Sequence, residues 1–370
     1  MKEITTRQAS IMLFITACAL KLTVLPSLFI NTSQNACWLG LIFMFVLDGA
    51  FLMLILAIMK RFPDLSFKQL LEKFCGKIVT KIILLFLGLL LVAKTTMMIR
   101  ECYEFYTETS YVDFSWFVYL VPIALVASYL ATKRLRSLAR TGEIIIYFVV
   151  LCIIMAFLFS VGSTDYMSFL PFLPKGINPV FKACFDNTLW FGDFIVLFFC
   201  MGNIKFEKHT TKKIALTYLS SALIVLFITF IQYSMYGAVA GIYKTSIVDI
   251  TEYIPRLSTS GRFTWIVVFL WPIAMLYSIF CYSHFATDCF RNCFNIKVEN
   301  NKYVSYVTVA LAFGLLLSSA FSLTTLIGYN YSFIKYYVFA VQYVMMFILP
   351  FALIKLIKGE KAYEKKFMEK

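Results

Sequence analysis

"TACALKLTVLP", residues 16–26, lies inside the first long apolar stretch of the chain, and its lysine raises the question that decides the fold. From Ser10 to Ile30 the residues are apolar or weakly polar except Lys21, about eleven residues beyond the polar start. At 1.5 Å per helical residue the ammonium lies roughly 17 Å deep, near the middle of a ~30 Å hydrocarbon core. A lone lysine at that depth costs about 2.5–3.5 kcal/mol on insertion scales. Lys21 therefore needs a partner, a water-filled cavity or a functional role.

The composition places the whole chain in that setting. Of its 370 residues 61% are hydrophobic and 15% charged, with a mean hydropathy of +0.81. A soluble domain carries about 25% charge and about 45–50% apolar residues, so this is a polytopic membrane protein. The net charge of +14 does not indicate nucleic acid. The basic residues fall in short loops between apolar segments, where orientation and lipid contact account for them. No cleavable leader is expected, because the first apolar segment is too long and lacks a small-residue cleavage site. Several of the ten cysteines (Cys18, Cys152, Cys200, Cys281) sit in apolar segments, where cysteine acts as a small hydrophobe. Cys289 and Cys293 have C-x3-C spacing, but no further Cys or His cluster completes a metal site, so neither metal nor cofactor is expected.

Ten apolar segments are long enough to span, at about 9–30, 36–59, 82–109, 114–132, 142–161, 181–204, 214–236, 264–287, 304–327 and 332–357. Alternate connections and both chain ends hold 25 of the 34 Lys and Arg, the opposite side six, and the spans three (Lys21, Lys94, Arg100). The positive-inside rule then puts both termini in the cytoplasm. Residues 162–180, with three prolines, read as an external crossover, and the loop 237–263 as external with a short helix around 248–254. The expected fold is all-α, a single transmembrane domain over 1–370 with a solvated tail at 358–370. No soluble segment is long enough to house an enzyme. HExxH, GxSxG, P-loop and GxGxxG signatures are absent from the sequence.

Ten spans can be ten packed helices or two inverted five-helix repeats, 9–161 and 181–357, whose first helices break at midplane. Span six contains "FDNTLWFGDFIVLFF", residues 185–199, where Asn187, Thr188, Gly192 and Asp193 interrupt the apolar run. Asp193 lies about twelve residues from the outer edge, roughly 18 Å deep, so spans one and six carry opposite charges at matching depth. Span two adds Asp48 in "FVLDGAF" and span three adds Lys94 in "LVAKTTMMIRECYEF". Two charges of each sign are what internal pairing requires. Two readings remain open: static pairs that fix helix packing, or a pair lining a cavity where it holds a zwitterion or moves a proton. On span three Arg100 and Glu104 are i,i+4 and can pair, while Glu101 shares a face with Lys94 at i,i+7. Glu143 is expected to open span five, its carboxylate favoured by the macrodipole. His284 reads as hydrogen-bonded packing, and Pro272 should kink span eight.

The order "ALKLTVLPSLF" (19–29), Trp38, "KRFPDLSFKQLLEKFCGKIVTKII" (60–83), "LATKRLRSLARTGEI" (130–144), "FLPFLPKGINPVFKA" (169–183) and "LWFGDFIVLFFCMGNIK" (189–205) resembles the spore-germination permease family. These are the B subunits of GerA-type germinant receptors, within the amino acid–polyamine–organocation transporter superfamily. The resemblance implies ten helices in a five-plus-five inverted repeat (LeuT-like), with helices one and six broken. It also implies a sensor of a small nutrient, an amino acid by preference, in the inner membrane of a bacterial spore. Such a sensor acts with an A subunit and a C-subunit lipoprotein. By that resemblance the pocket would be lined by Thr16, Ala19, Lys21 and Leu22 from span one and Asn187, Trp190, Gly192 and Asp193 from span six. Lys21 would receive a carboxylate or bridge to Asp193, with Asp48, Lys94 and Glu101 as the surrounding charge network. One departure stands out: the superfamily's usual glycine at the helix-one break is missing, since no glycine occurs between Ile11 and Ile30. The alternatives are a proton-coupled amino-acid transporter, with Asp48 or Asp193 carrying the proton, and an ion-conducting or structural subunit.

Overall fold

The computed structural model describes residues 4–110, 116–160, 164–169, 175–252, 261–297 and 301–321, together with 344 and 354. Thirteen α-helices are described: α1 (Thr6–Cys18), α2 (Lys21–Ser33), α3 (Cys37–Arg61), α4 (Phe67–Cys75), α5 (Lys77–Ser110), α6 (Trp116–Ala131) and α7 (Leu135–Ser160); then α8 (Asn178–Asp186), α9 (Ile195–Cys200), α10 (Thr210–Tyr236), α11 (Ser246–Glu252), α12 (Gly261–Phe294) and α13 (Asn301–Phe321). Among the described residues the only β pairing is a single bridge between Ile4 and Ile204.

Among the described residues five helical runs are long and apolar enough to cross a membrane: Thr6–Arg61, Lys77–Thr109, Leu135–Ser160, Thr210–Gly241 and Thr264–Phe294. A bent pair, Asn178–Asp186 with Thr188–Cys200, makes a sixth. The 56-residue first run would reach roughly 84 Å if straight. Instead it doubles back after α2, where Gln34 takes φ 51° and α2 packs on α3. Expected span four appears as the shorter apolar helix Val118–Ala131, and expected span ten, 332–357, lies outside the described residues apart from 344 and 354.

The basic connections gather at one end of the bundle. Ile4 N–H donates to the Asn203 carbonyl (3.1 Å), and Lys205 N–H returns the bond to Ile4 (3.2 Å). Gln8 reaches Glu143 (3.1 Å) and Lys68 reaches Asn295 (2.9 Å). At Gly202, φ 74°, a Cβ would stand 2.9 Å from the Ser66 backbone nitrogen, so only glycine allows the "FPDLSF" turn to pack on the end of span six. Ser66 then caps α4 in a capping box with Gln69, and α4 buries Phe67, Leu70 and Leu71. At the opposite end Asn31 donates to the Gly241 carbonyl (2.6 Å), Asp165 N–H to Ser234 (2.9 Å), and Lys244 pairs with Glu108 (3.0 Å). The external helix expected at 248–254 is α11, at Ser246–Glu252.

One expectation fails here. Glu143 does not open a helix, because α7 begins eight residues earlier at Leu135. "LRSLARTG" contains no proline and no glycine before Gly142, so nothing in it stops a helix, and the basic loop shrinks to the turn at 132–134. Pro272 lies inside α12 as expected, and His284 Nδ1 is 3.0 Å from the Ala131 carbonyl, in a packed setting.

Candidate functional site

The site forms where span six comes apart. Pro179 starts α8, and the helix ends with side chains turned on its own carbonyls: Asn187 amide to Ala183 (2.9 Å) and Thr188 hydroxyl to Cys184 (2.9 Å). A 3₁₀ turn at Thr188–Trp190 follows, then extended Phe191 (φ −95°, ψ −175°) and Gly192 at φ 90°. That φ suits glycine, since a Cβ there meets the neighbouring carbonyl. The axis bends by 53° between the two halves.

A break at this depth frees backbone groups that lipid cannot satisfy. Two side chains from other helices take them up. Asp48 Oδ1 on α3 accepts from Gly192 N–H at 3.0 Å, and Lys94 Nζ on α5 donates to the Phe191 carbonyl at 2.9 Å. The second Asp48 oxygen accepts the Tyr218 hydroxyl of α10 at 3.0 Å. The Asp193 carboxylate, one residue past the glycine, accepts from the Lys21 ammonium of α2. All four charges are buried, none more than 4% exposed, and they sum to zero. Removing either partner from such a pair strands a charge, whereas an intact pair is close to neutral in stability.

Aromatic rings complete the shell. Lys21 Nζ stands 4.7 Å from the Phe191 ring centre and 5.3 Å from that of Phe45, where ring faces attract a cation. Lys94 Nζ lies 4.9 Å from the Tyr282 ring. The Tyr282 hydroxyl is fully buried and has no hydrogen-bond partner among the described residues.

Span one behaves differently. Its interruption is confined to Ala19 and Leu20, both in the right-handed helical region (φ −53°, ψ −47°; φ −92°, ψ −31°). Ala19 N–H still reaches Ile15 O, and Val24 N–H reaches Leu20 O. The helix is displaced by a turn rather than unwound, as the missing glycine allows. Thr23 hydroxyl donates to Ala19 O and accepts from the Trp271 indole at 2.9 Å, fixing the second half to α12.

Of the residues expected to line a pocket, the fold brings Lys21, Gly192 and Asp193 together with Asp48 and Lys94. Ala19, Leu22 and Trp190 are buried near the breaks. Thr16 and Asn187 are buried, but their polar groups bond to their own helices, at Met12, Leu13 and Ala183. Glu101 does not join the network. It lies two turns from Lys94, about 10 Å along the axis, and its charged neighbours are Glu104, Arg100, Lys244 and Glu108. Arg100 pairs with Glu104 at 2.8 Å as its spacing predicts. Tyr218, Phe45, Phe191 and Tyr282 escaped the sequence reading, because nothing in their spacing separates them from the other 62 aromatic residues. All ten cysteines are free, and no metal-binding cluster occurs among the described residues.

No curated protein matches this chain. A family profile described as spore germination protein matches residues 3–325, a stretch that holds all four buried charges and both helix interruptions. A likeness over that much of the chain makes this membrane protein a member of the spore germination permease family.

Proposed function

We propose that this chain is the nutrient-sensing B subunit of a spore germinant receptor, and that its ligand is an amino acid. The observation that carries the reading is the Lys21–Asp193 pair beside the span-six break. An amino acid carries the same two charges. Opening the pair offers Lys21 to the ligand's carboxylate and Asp193 to its ammonium, so one buried ion pair is exchanged for two. Asp48 and Lys94 hold the broken backbone meanwhile, and the Tyr282 hydroxyl stands near as a further polar group. Thr16, Ala19, Leu22, Asn187, Trp190 and Gly192 contribute shape. The ligand shifts the bundle only if it binds one arrangement better than the other.

Membership of the family supports the rest of the proposal. The fold is the ten-helix, five-plus-five inverted repeat, with both termini in the cytoplasm and the chain in the spore inner membrane. The partners are an A subunit and a C-subunit lipoprotein, and the chain is a receptor rather than an enzyme. Thermal stabilisation of the detergent-purified protein by a panel of amino acids, sugars and nucleosides tests the ligand class, since binding to the folded state raises Tm. An amino-acid hit that Lys21→Met loses supports the reading; a sugar or nucleoside hit that Lys21→Met retains overturns it.

Proton-coupled transport is the second reading. It draws on Asp48, a buried carboxylate bonded to both the broken span-six backbone and Tyr218. Labelled uptake into proteoliposomes that is abolished by Asp48→Asn would favour it.

A further inference from the structure

A groove of about 140 Å³ opens between the start of α7 and the middle of α12, at the basic end of the bundle. Its walls are apolar and periodic: Leu138 and Ile145 from α7 at i and i+7, Ile273, Leu276 and Phe280 from α12 at i, i+3 and i+7. Along α7 the groove runs from Ser137 to Ile145, about 12 Å of helix axis. Its floor is rigid. Tyr277 hydroxyl donates to the Leu138 carbonyl at 3.0 Å, and a Cβ at Gly142 would stand 2.5 Å from that hydroxyl oxygen, so the glycine lets the ring lie flat against α7.

The mouth has the opposite character. Lys133 lines it, its ammonium 3.9 Å from the centre of the Tyr129 ring, which is 59% exposed. Exposed Arg134, Arg136 and Arg140 flank it, with the exposed Ser137 between them. No acidic residue falls between Lys133 and Arg140. None of the four cations is ion-paired among the described residues, and the next carboxylate, Glu143, is engaged by Gln8. A soluble partner's surface would match the cations but not the apolar slot beneath them. A neutral lipid would match the slot but leave the cations without counter-charge.

We propose that this groove is a binding site for an anionic phospholipid. One acyl chain lies along Ile145, Ile273, Leu276 and Phe280, and the phosphate meets Lys133 with the arginines of the α6–α7 turn and the first turns of α7. Basic pockets between spanning helices at one membrane face bind anionic headgroups by this combination of charge and slot. Bound lipid then ties the α6–α7 turn to α12, the helix whose Trp271 holds span one.

The test uses the full chain in detergent, offered equal amounts of phosphatidylglycerol and phosphatidylcholine, with retained lipid counted by native mass spectrometry. The wild type should retain phosphatidylglycerol preferentially. Lys133→Gln with Arg136→Gln should weaken that retention by about fivefold per removed charge. Leu276→Trp, which fills the slot and keeps the charges, should lose it as well. Soluble glycerol phosphate should not compete, because it lacks the chain. Equal retention of both lipids overturns the proposal and gives the basic turn to an acidic protein partner. Unchanged retention in Leu276→Trp overturns the slot, and competition by glycerol phosphate makes this a free-phosphate site instead.

Discussion

Spans one and six are interrupted at matching depth, yet they are interrupted in different ways. In span six the chain leaves the helix for an extended residue and a glycine at φ 90°, and the axis turns by 53°. In span one both residues of the interruption keep helical angles, and hydrogen bonds continue on either side. The backbone is therefore the polar element at one break and a side chain at the other. Where Gly192 allows the chain to open, Asp48 and Lys94 satisfy the exposed peptide groups. Where no glycine is available, Lys21 supplies the charge from an almost intact helix. This asymmetry shows that a bilayer-buried site can be polar without symmetric unwinding, provided each freed group finds a fixed partner.

The largest effect expected from testing that contrast belongs to the pair joining the two breaks. Lys21→Met leaves Asp193 buried without its counter-ion and should cost about 3–5 kcal/mol, read as lost thermal stability in detergent. Adding Asp193→Leu should recover most of that stability but none of the ligand response. A single variant as stable as the wild type would mean that water reaches Asp193 and that the breaks are not linked through it. Next comes Tyr218→Phe, which removes one of the two bonds that hold Asp48. A hydrogen bond to a charged group contributes about 1.5–3 kcal/mol, and the loss should appear without any change in helix content.

The backbone asymmetry itself is tested by a pair of exchanges. Gly192→Ala forces a side chain into φ 90° and should cost about 1–3 kcal/mol, with weaker ligand response. Ala19→Gly at the other break should cost no more than about 1 kcal/mol. Equal costs would show that span one is under the same backbone demand as span six.

A pH-dependent effect is expected in the loop that braces span one through the Ser246 hydroxyl and the Thr23 carbonyl (3.0 Å). In α11, burial pushes the Asp249 carboxyl from its ordinary 3.8 up to about 7, with Glu252 and Glu108 adding to the rise and a bond from Thr245 opposing it. Between those values the folded loop holds a proton that the unfolded loop has released. Its stability is thus greatest below about pH 4 and falls as pH rises through 7. Hydrogen exchange of α11, corrected for intrinsic rates, should be faster at pH 8 than at pH 5, and Asp249→Asn should remove the difference.

Much of this was legible in the linear chain, for particular reasons. Depth is one-dimensional: counting residues from a polar edge placed Lys21 and Asp193 at one level, and the basic connections at one end. The same counting misled at Glu101. Seven residues from Lys94 is one face of a helix but two turns away along it, and closer charges at Glu104 and Lys244 surround it instead. Thr16 and Asn187 belong to the pocket that the resemblance implies, but the fold directs their polar groups to carbonyls three or four residues back. Tyr218 gave no signal, because a tyrosine in an apolar helix looks the same whether its hydroxyl meets a carboxylate or a headgroup.

Residue order alone makes the chain an all-α membrane protein of the spore germination permease family, alternates its basic connections with apolar spans, and sets four charges of zero sum deep within it. Which charge meets which group depends on the packed bundle: Lys21 with Asp193, Asp48 with the Gly192 amide, Lys94 with the Phe191 carbonyl. Residue order sets how deep a side chain lies and which face of its own helix it occupies. Which other helix that face meets is set by packing across the bundle, and in a medium without water that meeting determines whether a buried charge is paired or stranded.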